Sequence, residues 1–215
     1  MAVSAVVFDF NGTLSNDEPI LYEIFAELFA VHGKPLSAQE YFDHLAGLSD
    51  PEIVRTWLGE DHPDVDAVIE ERIVRYRAAC ADGSSIEEPT REAVRFAAER
   101  VPVAIVSGAA RTEIEPVIEA AGLASQFTAI VPADDIARGK PDPEGYRRAL
   151  ELLDGDLDPG DVLVFEDTEA GIASARGAGM RVVAVRGTLV PERLAGAEEI
   201  VDRVDVDVLR RYLSR

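Results

Sequence analysis

One short apolar run stands alone near the N-terminus, and four more recur in the last 115 residues, alternating there with helix-period segments. The runs cover residues 5–8, 103–106, 127–131, 162–165 and 182–185. Each is too short for a buried helix and is bounded by polar or turn residues, so each reads as a fully buried strand. Helical spacing falls at about 90–100, 111–121, 143–153 and 168–177, and residues 200–215 read as a short strand or turn followed by a helix. Strands alternating with helices demand a parallel sheet covered on both faces. Between the first and second strands the pattern is helical throughout. Pro19 opens one helix, with Ile20, Ile24, Phe25, Leu28 and Phe29 near a 3.6 period. Ser37 and Glu40 form a capping box for a second. Asp50-Pro51 starts a third, and residues 64–80 make a fourth. The expected architecture is therefore α/β: a Rossmann-like three-layer core with a parallel sheet (residues 1–15 and 85–215), interrupted by an all-helical cap (residues 16–84).

The formal net charge is -20 and the sequence pI is near 4.4. Such a surface repels nucleic acid and anionic membranes, so neither is an expected partner. A phosphate ester would be repelled too, unless a metal or a local cation received it. Lys34 and Lys140 are the only lysines. Cys80 is the single cysteine, so no disulfide can form within the chain, which fits a reducing cytoplasm. No window is long and apolar enough to span a bilayer.

In open α/β sheets, ligands gather beyond the carboxyl ends of the strands. The groups at those ends are complementary. Asp9 follows the first strand and leads into Gly12-Thr13-Leu14. Ser107-Gly108 follows the second. Lys140 lies in the loop Gly139-Lys140-Pro141, and Glu166-Asp167 ends the strand at 162–165. Hard carboxylate oxygens suit Mg²⁺, a lysine and a hydroxyl suit phosphate oxygens, and a carboxylate beside them can attack phosphorus. Taken singly, each group has a plainer use as a turn former, a solvated charge or a helix cap. Their joint occurrence in one ordered pattern favours a site.

The order Asp-x-x-Gly-Thr-Leu, strand-Ser, Lys-Pro, Glu-Asp resembles that of the haloacid dehalogenase superfamily, over essentially the whole chain. The stretch from Phe165 to Ile172 is most similar to its sugar-phosphate branch of phosphatases and β-phosphoglucomutase. The resemblance implies a small phosphorylated metabolite as substrate and Mg²⁺ as cofactor. It implies Asp9 as nucleophile and metal ligand, the Asn11 carbonyl and Asp167 as further ligands, and Glu166 as a ligand directly or through water. Ser107, Gly108 and Lys140 would hold the phosphoryl group, with Lys140 screening Asp9 from Asp167 and Thr13 positioning phosphoryl oxygens. Gly47 and Ser49 fall in a segment that looks like the family's specificity loop. Arg55 is the expected cap cation for an anionic substrate.

Asn11 departs from the pattern, because the superfamily's phosphatases and mutases carry Asp there as general acid and base. An amide does neither at neutral pH. Three readings stay open. The first is a slowed phosphatase using water or a cap residue as proton carrier. The second is related chemistry, and the third is a residue introduced to trap an intermediate. A phosphatase acting through phospho-Asp9 is the leading expectation, with Asn11→Asp expected to raise its activity. The alternatives are a phosphoryl-transferring mutase and a weakly catalytic phosphometabolite-binding protein. Asp50, directly after Ser49, counts against the mutase, since the mutase carries an arginine there for the distal phosphate.

Overall fold

The computed structural model describes residues 2–154 and 156–213. Strand β1 (Ala5–Phe8) is fully buried, as are β2 (Val103–Val106) and β4 (Val162–Glu166). With β3 (Ala129–Val131), β5 (Arg181–Val185) and β6 (Glu199–Val201) they form one parallel sheet in the order β3-β2-β1-β4-β5-β6. β1 is central, with Phe8 level with Ile105 on one side and Phe165 on the other. The chain winds outward from β1 to β3, then returns to the far side of β1 and winds outward again through β4, β5 and β6. The reversal between β1 and β4 is the point at which such sheets open a crevice at their carboxyl edge.

The β3 run is shorter than its sequence pattern. It begins at Ala129 rather than at Phe127, because residues Ala124–Gln126 turn in a 3₁₀ helix and carry the chain to the sheet edge.

Four helices follow β1 in the stretch expected to be helical, ahead of the helix that leads into β2: α1 (Glu18–Val31), α2 (Ala38–His44), α3 (Asp50–Leu58) and α4 (Val65–Ala79). α1 buries Leu21, Ile24, Phe25, Leu28 and Phe29, and Ile20 stays half-exposed beside that stripe. The capping box of α2 forms as expected, with Ser37 and Glu40 exchanging bonds. A second box, Ser49 with Glu52, starts α3. Tyr41 anchors α2 between Tyr22 and Phe25 of α1 and its own neighbour Phe42. Helices α5 (Glu88–Ala98), α6 (Arg111–Ala120), α7 (Glu144–Asp154), α8 (Glu169–Gly177) and α9 (Val206–Leu213) complete the chain. Among the described residues no helix is long and apolar enough to cross a membrane.

Candidate active site

The carboxyl ends of β1, β2 and β4 lie side by side, so their terminal groups meet. Asp9 follows β1, and its amide donates to the Phe165 carbonyl at 2.9 Å, which fixes the backbone against β4. Lys140, reached through a loop with a cis Lys140–Pro141 bond, places its Nζ against Asp9 Oδ1 and Glu166 Oε1 and donates to the Val106 carbonyl at 3.3 Å. One oxygen from each of Asp9, Glu166 and Asp167 lies within 4.8 Å of the others.

Three buried carboxylates face a single lysine. Unless a cation joins them, their mutual repulsion must be relieved by protons. Burial pushes Asp9 up to about 7, against the pull of Lys140, and Glu166 adds to the rise. Burial, and then the charges of Asp9 and Glu166, raise Asp167 well above the usual carboxylate range. This surplus of buried negative charge, on hard oxygen donors alone, fits a divalent metal ion. Glycine is required next to it. Gly12 has φ +72, and a Cβ there would overlap the Asp167 carboxylate.

The cleft above this centre measures about 820 Å³ and is lined by both the sheet end and the helical insertion. Asp9, Asn11, Ser107, Gly108, Lys140 and Asp167 line it, and so do Gly47 and Ser49. Ser107 is buried, and its Oγ accepts from the Ala109 amide at 3.0 Å. The Ser49 hydroxyl is committed to Glu52 at 2.6 Å.

Three sequence expectations change in the structure, those for Thr13, Lys140 and Arg55, and Glu166 proves heavily bonded. Thr13 does not line the cleft; its hydroxyl donates to Asp167 Oδ1 at 3.2 Å and orients that carboxylate. Lys140 bridges Asp9 to Glu166 rather than parting Asp9 from Asp167. Glu166 is fully buried and already holds five donors. Lys140 and Tyr146 reach Oε1, while the Asp167 amide, the Thr168 amide and the Thr168 hydroxyl reach Oε2. These bonds tie Glu166 to Lys140 and to the turn into α8, while it stays within the acidic group of Asp9 and Asp167. Arg55 is exposed and does not line the cleft. The arginine that does is Arg72 of α4, paired with Glu113 of α6 and with Asp50 at 3.4 Å. Asp50 therefore neutralises a cation rather than standing bare before the substrate.

Asn11 has a defined duty. Its Nδ2 donates to Asp17 Oδ2 at 2.9 Å and to the Tyr76 hydroxyl at 3.3 Å. Tyr76 donates to the same Asp17 oxygen at 2.5 Å, and the Gly12 amide donates to Asp17 Oδ1 at 3.1 Å. Asp17 is thus a buried carboxylate satisfied in part by the amide that replaces the expected acid.

Sequence reasoning missed Arg72, Glu113, Tyr41, Thr188 and the bond from Asn11 to Asp17. Thr188 follows β5 and donates to Asp167 Oδ2. Its position just past a strand end was the available signal. Arg72, Glu113 and Tyr41 lie on helices, where spacing tells which face is apolar but not which polar residue meets the sheet. A second His/Asp group, His32, His62 and Asp64, sits outside the cleft, and the Asp64 amide already donates to His62 Nδ1 at 3.2 Å.

A parallel sheet whose switch point carries a buried carboxylate–lysine centre under a helical insertion defines a class of α/β hydrolases. The chain belongs to the haloacid dehalogenase-like hydrolase family, whose model matches residues 6–185. It is 30% identical over 217 residues to validoxylamine A 7'-phosphate phosphatase of Streptomyces hygroscopicus subsp. limoneus, covering 91% of each chain. It is 32% identical to N-acetylmuramic acid 6-phosphate phosphatase of Pseudomonas aeruginosa, covering 99% of this chain and 97% of that one. Among solved structures it is similar to a variant of CbbY from Rhodobacter sphaeroides in complex with xylulose-(1,5)bisphosphate. The TM-score is 0.81 and the identity 27%, over 94% of this chain and 95% of that one.

Proposed function

We propose that this phosphoric monoester hydrolase removes phosphate from a small sugar- or polyol-phosphate, through phospho-Asp9 and with Mg²⁺ as its metal. The observation that carries the reading is the pairing of Asp9 with Lys140 at the base of a cleft that Ser107 and Asp167 also line. Asp9 and Asp167, with the Asn11 carbonyl, would hold the metal, and Glu166 would support it from behind. Bound there, Mg²⁺ neutralises phosphoryl charge and lets the carboxylates stay ionised. Lys140 orients Asp9 and sets its positive charge beside the incoming phosphoryl group, its three hydrogens already serving Asp9, Glu166 and the Val106 carbonyl. The Ser107 hydroxyl donates to a phosphoryl oxygen. Phosphoryl transfer needs little beyond such positioning and charge neutralisation.

We assign residues 16–84 the role of cap and residues 1–15 with 85–215 that of core, because the cleft is lined from both. The cap side supplies Leu21, Phe25 and Ile53 as apolar wall. Its one arginine in the cleft, Arg72, has its charge spent on Asp50 and Glu113. A neutral, hydroxyl-bearing distal end suits that wall better than a second phosphate, which also disfavours the mutase reading. The two phosphatases compared above are named for phosphorylated carbohydrate-like substrates, in keeping with this class. The buried lone thiol, Cys80, supports a cytoplasmic setting.

The test is phosphate release from nitrophenyl phosphate and a panel of sugar phosphates. Turnover should need Mg²⁺, stop with a chelator and be abolished by Asp9→Asn. Turnover that survives Asp9→Asn sinks the reading.

A further inference from the structure

We propose that Glu18 carries the proton that Asn11 cannot. Its carboxyl donates to the leaving oxygen of the substrate and, once ionised, accepts a proton from the attacking water. The inference rests on the phosphoryl-transfer reading above and deepens it.

The argument begins with elimination. Asn11 occupies the position of the expected acid, yet its amide is bound to Asp17 and Tyr76 and has no titratable proton to give. Seven carboxyl-bearing residues line the cleft among the described residues, and six are otherwise employed. Asp9 is paired with Lys140, and Asp167 belongs to the acidic triad. Asp50 and Glu113 share Arg72. Glu52 caps α3, and Asp142 accepts from the Glu144 amide beside Arg138. Among the described residues, Glu18 alone of the seven has no ion pair, no capping bond and no place in the triad.

Its surroundings suit proton exchange. Glu18 is the first residue of α1, where the chain leaves the catalytic loop. The Tyr41 hydroxyl donates to its Oε2 at 3.0 Å, which fixes the carboxyl and leaves Oε1 to carry the mobile proton. Burial and the charge of Glu18 hold the Tyr41 hydroxyl well above its ordinary value, so Tyr41 remains a donor. Burial pushes Glu18 up to about 8. The negative charges of Asp17 and Asp9 push the same way, against the Tyr41 bond and the more distant Arg72. A carboxyl poised near neutrality serves in both directions.

The steps balance. Asp9 attacks phosphorus, the phosphorus–ester oxygen bond breaks, and its electron pair leaves with the oxygen, which takes the Glu18 proton to form the alcohol. Water then attacks phospho-Asp9 and gives a proton to the Glu18 carboxylate. The phosphorus–Asp9 bond breaks, returning its electrons to Asp9 and releasing inorganic phosphate. Glu18 ends protonated, as it began.

The experiment compares wild type, Glu18→Gln and Glu18→Asp on two esters in Mg²⁺. Nitrophenolate leaves without a proton, whereas glycerol phosphate needs one. Glu18→Gln should slow steady turnover of both esters by about 10²-fold or more. With nitrophenyl phosphate it should release a rapid burst of one nitrophenolate per enzyme, because the first step proceeds and the second stalls. Glu18→Asp should recover part of the rate. Thermal melts check that both variants fold. Turnover of both esters within about 3-fold of wild type overturns the assignment, as does an equal loss on both without a burst. Neither result touches the nucleophile reading, which Asp9→Asn tests separately.

Discussion

Restoring the expected acid by Asn11→Asp alone should damage the protein before it helps the chemistry. The amide nitrogen of Asn11 sits 2.9 Å from Asp17 Oδ2 in a buried network with Tyr76. A carboxylate in its place would lose that donor bond and face a second carboxylate. Two full charges at 2.9 Å repel by about 6 kcal/mol at an effective dielectric of about 20. Keeping one carboxyl protonated at pH 7, about three units above its ordinary pKa, costs about 4 kcal/mol. The smaller penalty decides, so the pair holds one proton, and an O–H···O bond replaces the lost N–H···O bond.

The expected destabilisation is therefore about 4 kcal/mol, or roughly 8–16 °C in Tm for a chain of this size. The sign with pH follows from the raised folded-state pKa. Folding takes up a proton, so the variant loses stability relative to wild type as pH rises, and the deficit shrinks to about 2 kcal/mol at pH 5.5. Adding Asp17→Asn should restore most of the loss, since the donor and acceptor merely exchange places. Denaturant melts of the wild type, both single variants and the double variant complete the cycle. If Asn11→Asp alone is as stable as wild type at pH 8, or the double variant is no better than the single, the coupling argument fails. In the double variant phosphatase activity should exceed wild type, because a titratable group then stands at residue 11 without a buried rival.

The acidic centre predicts a pH-dependent response to metal. Burial raises Asp9 to about 7, so in chelator-treated protein its contribution to stability falls as pH climbs from about 4 to about 7. Magnesium competes with that proton, so the gain in Tm on adding Mg²⁺ should be larger at pH 8 than at pH 5.5; equal gains would count against a carboxylate site. The Arg72–Glu113 pair joins the cap side to α6. Arg72→Met should strand the buried Glu113 and cost about 3–5 kcal/mol, with Arg72→Met/Glu113→Leu recovering much of it in denaturant melts. Because Arg72 is neutralised in place, sugar bisphosphates should not be turned over faster than the matching monophosphates in initial-rate assays.

The sheet and its polarity were legible because their signal is local. Five apolar runs of strand length, separated by helical spacing, admit few topologies, and a crossover rule of right-handed connections leaves their carboxyl ends on one side. The convergence of Asp9, Ser107, Lys140 and Asp167 on one cleft follows from that topology. The Ser37–Glu40 capping box was legible for the same reason, since donor and acceptor lie three residues apart.

What the chain could not disclose by itself was how each polar side chain is spent. Thr13 turns to Asp167, Glu166 gathers five donors, Arg55 faces water, and Arg72 arrives from a helix whose polar face gave no hint of the sheet. The pairing of Asn11 with Asp17, and the isolation of Glu18, likewise depend on which helix packs over the catalytic loop. Strand and helix identity are set by neighbours in the chain, through period and caps. The partner of a buried charge is set by groups tens of residues away, because desolvation forces it to bond with whatever the packing brings within reach.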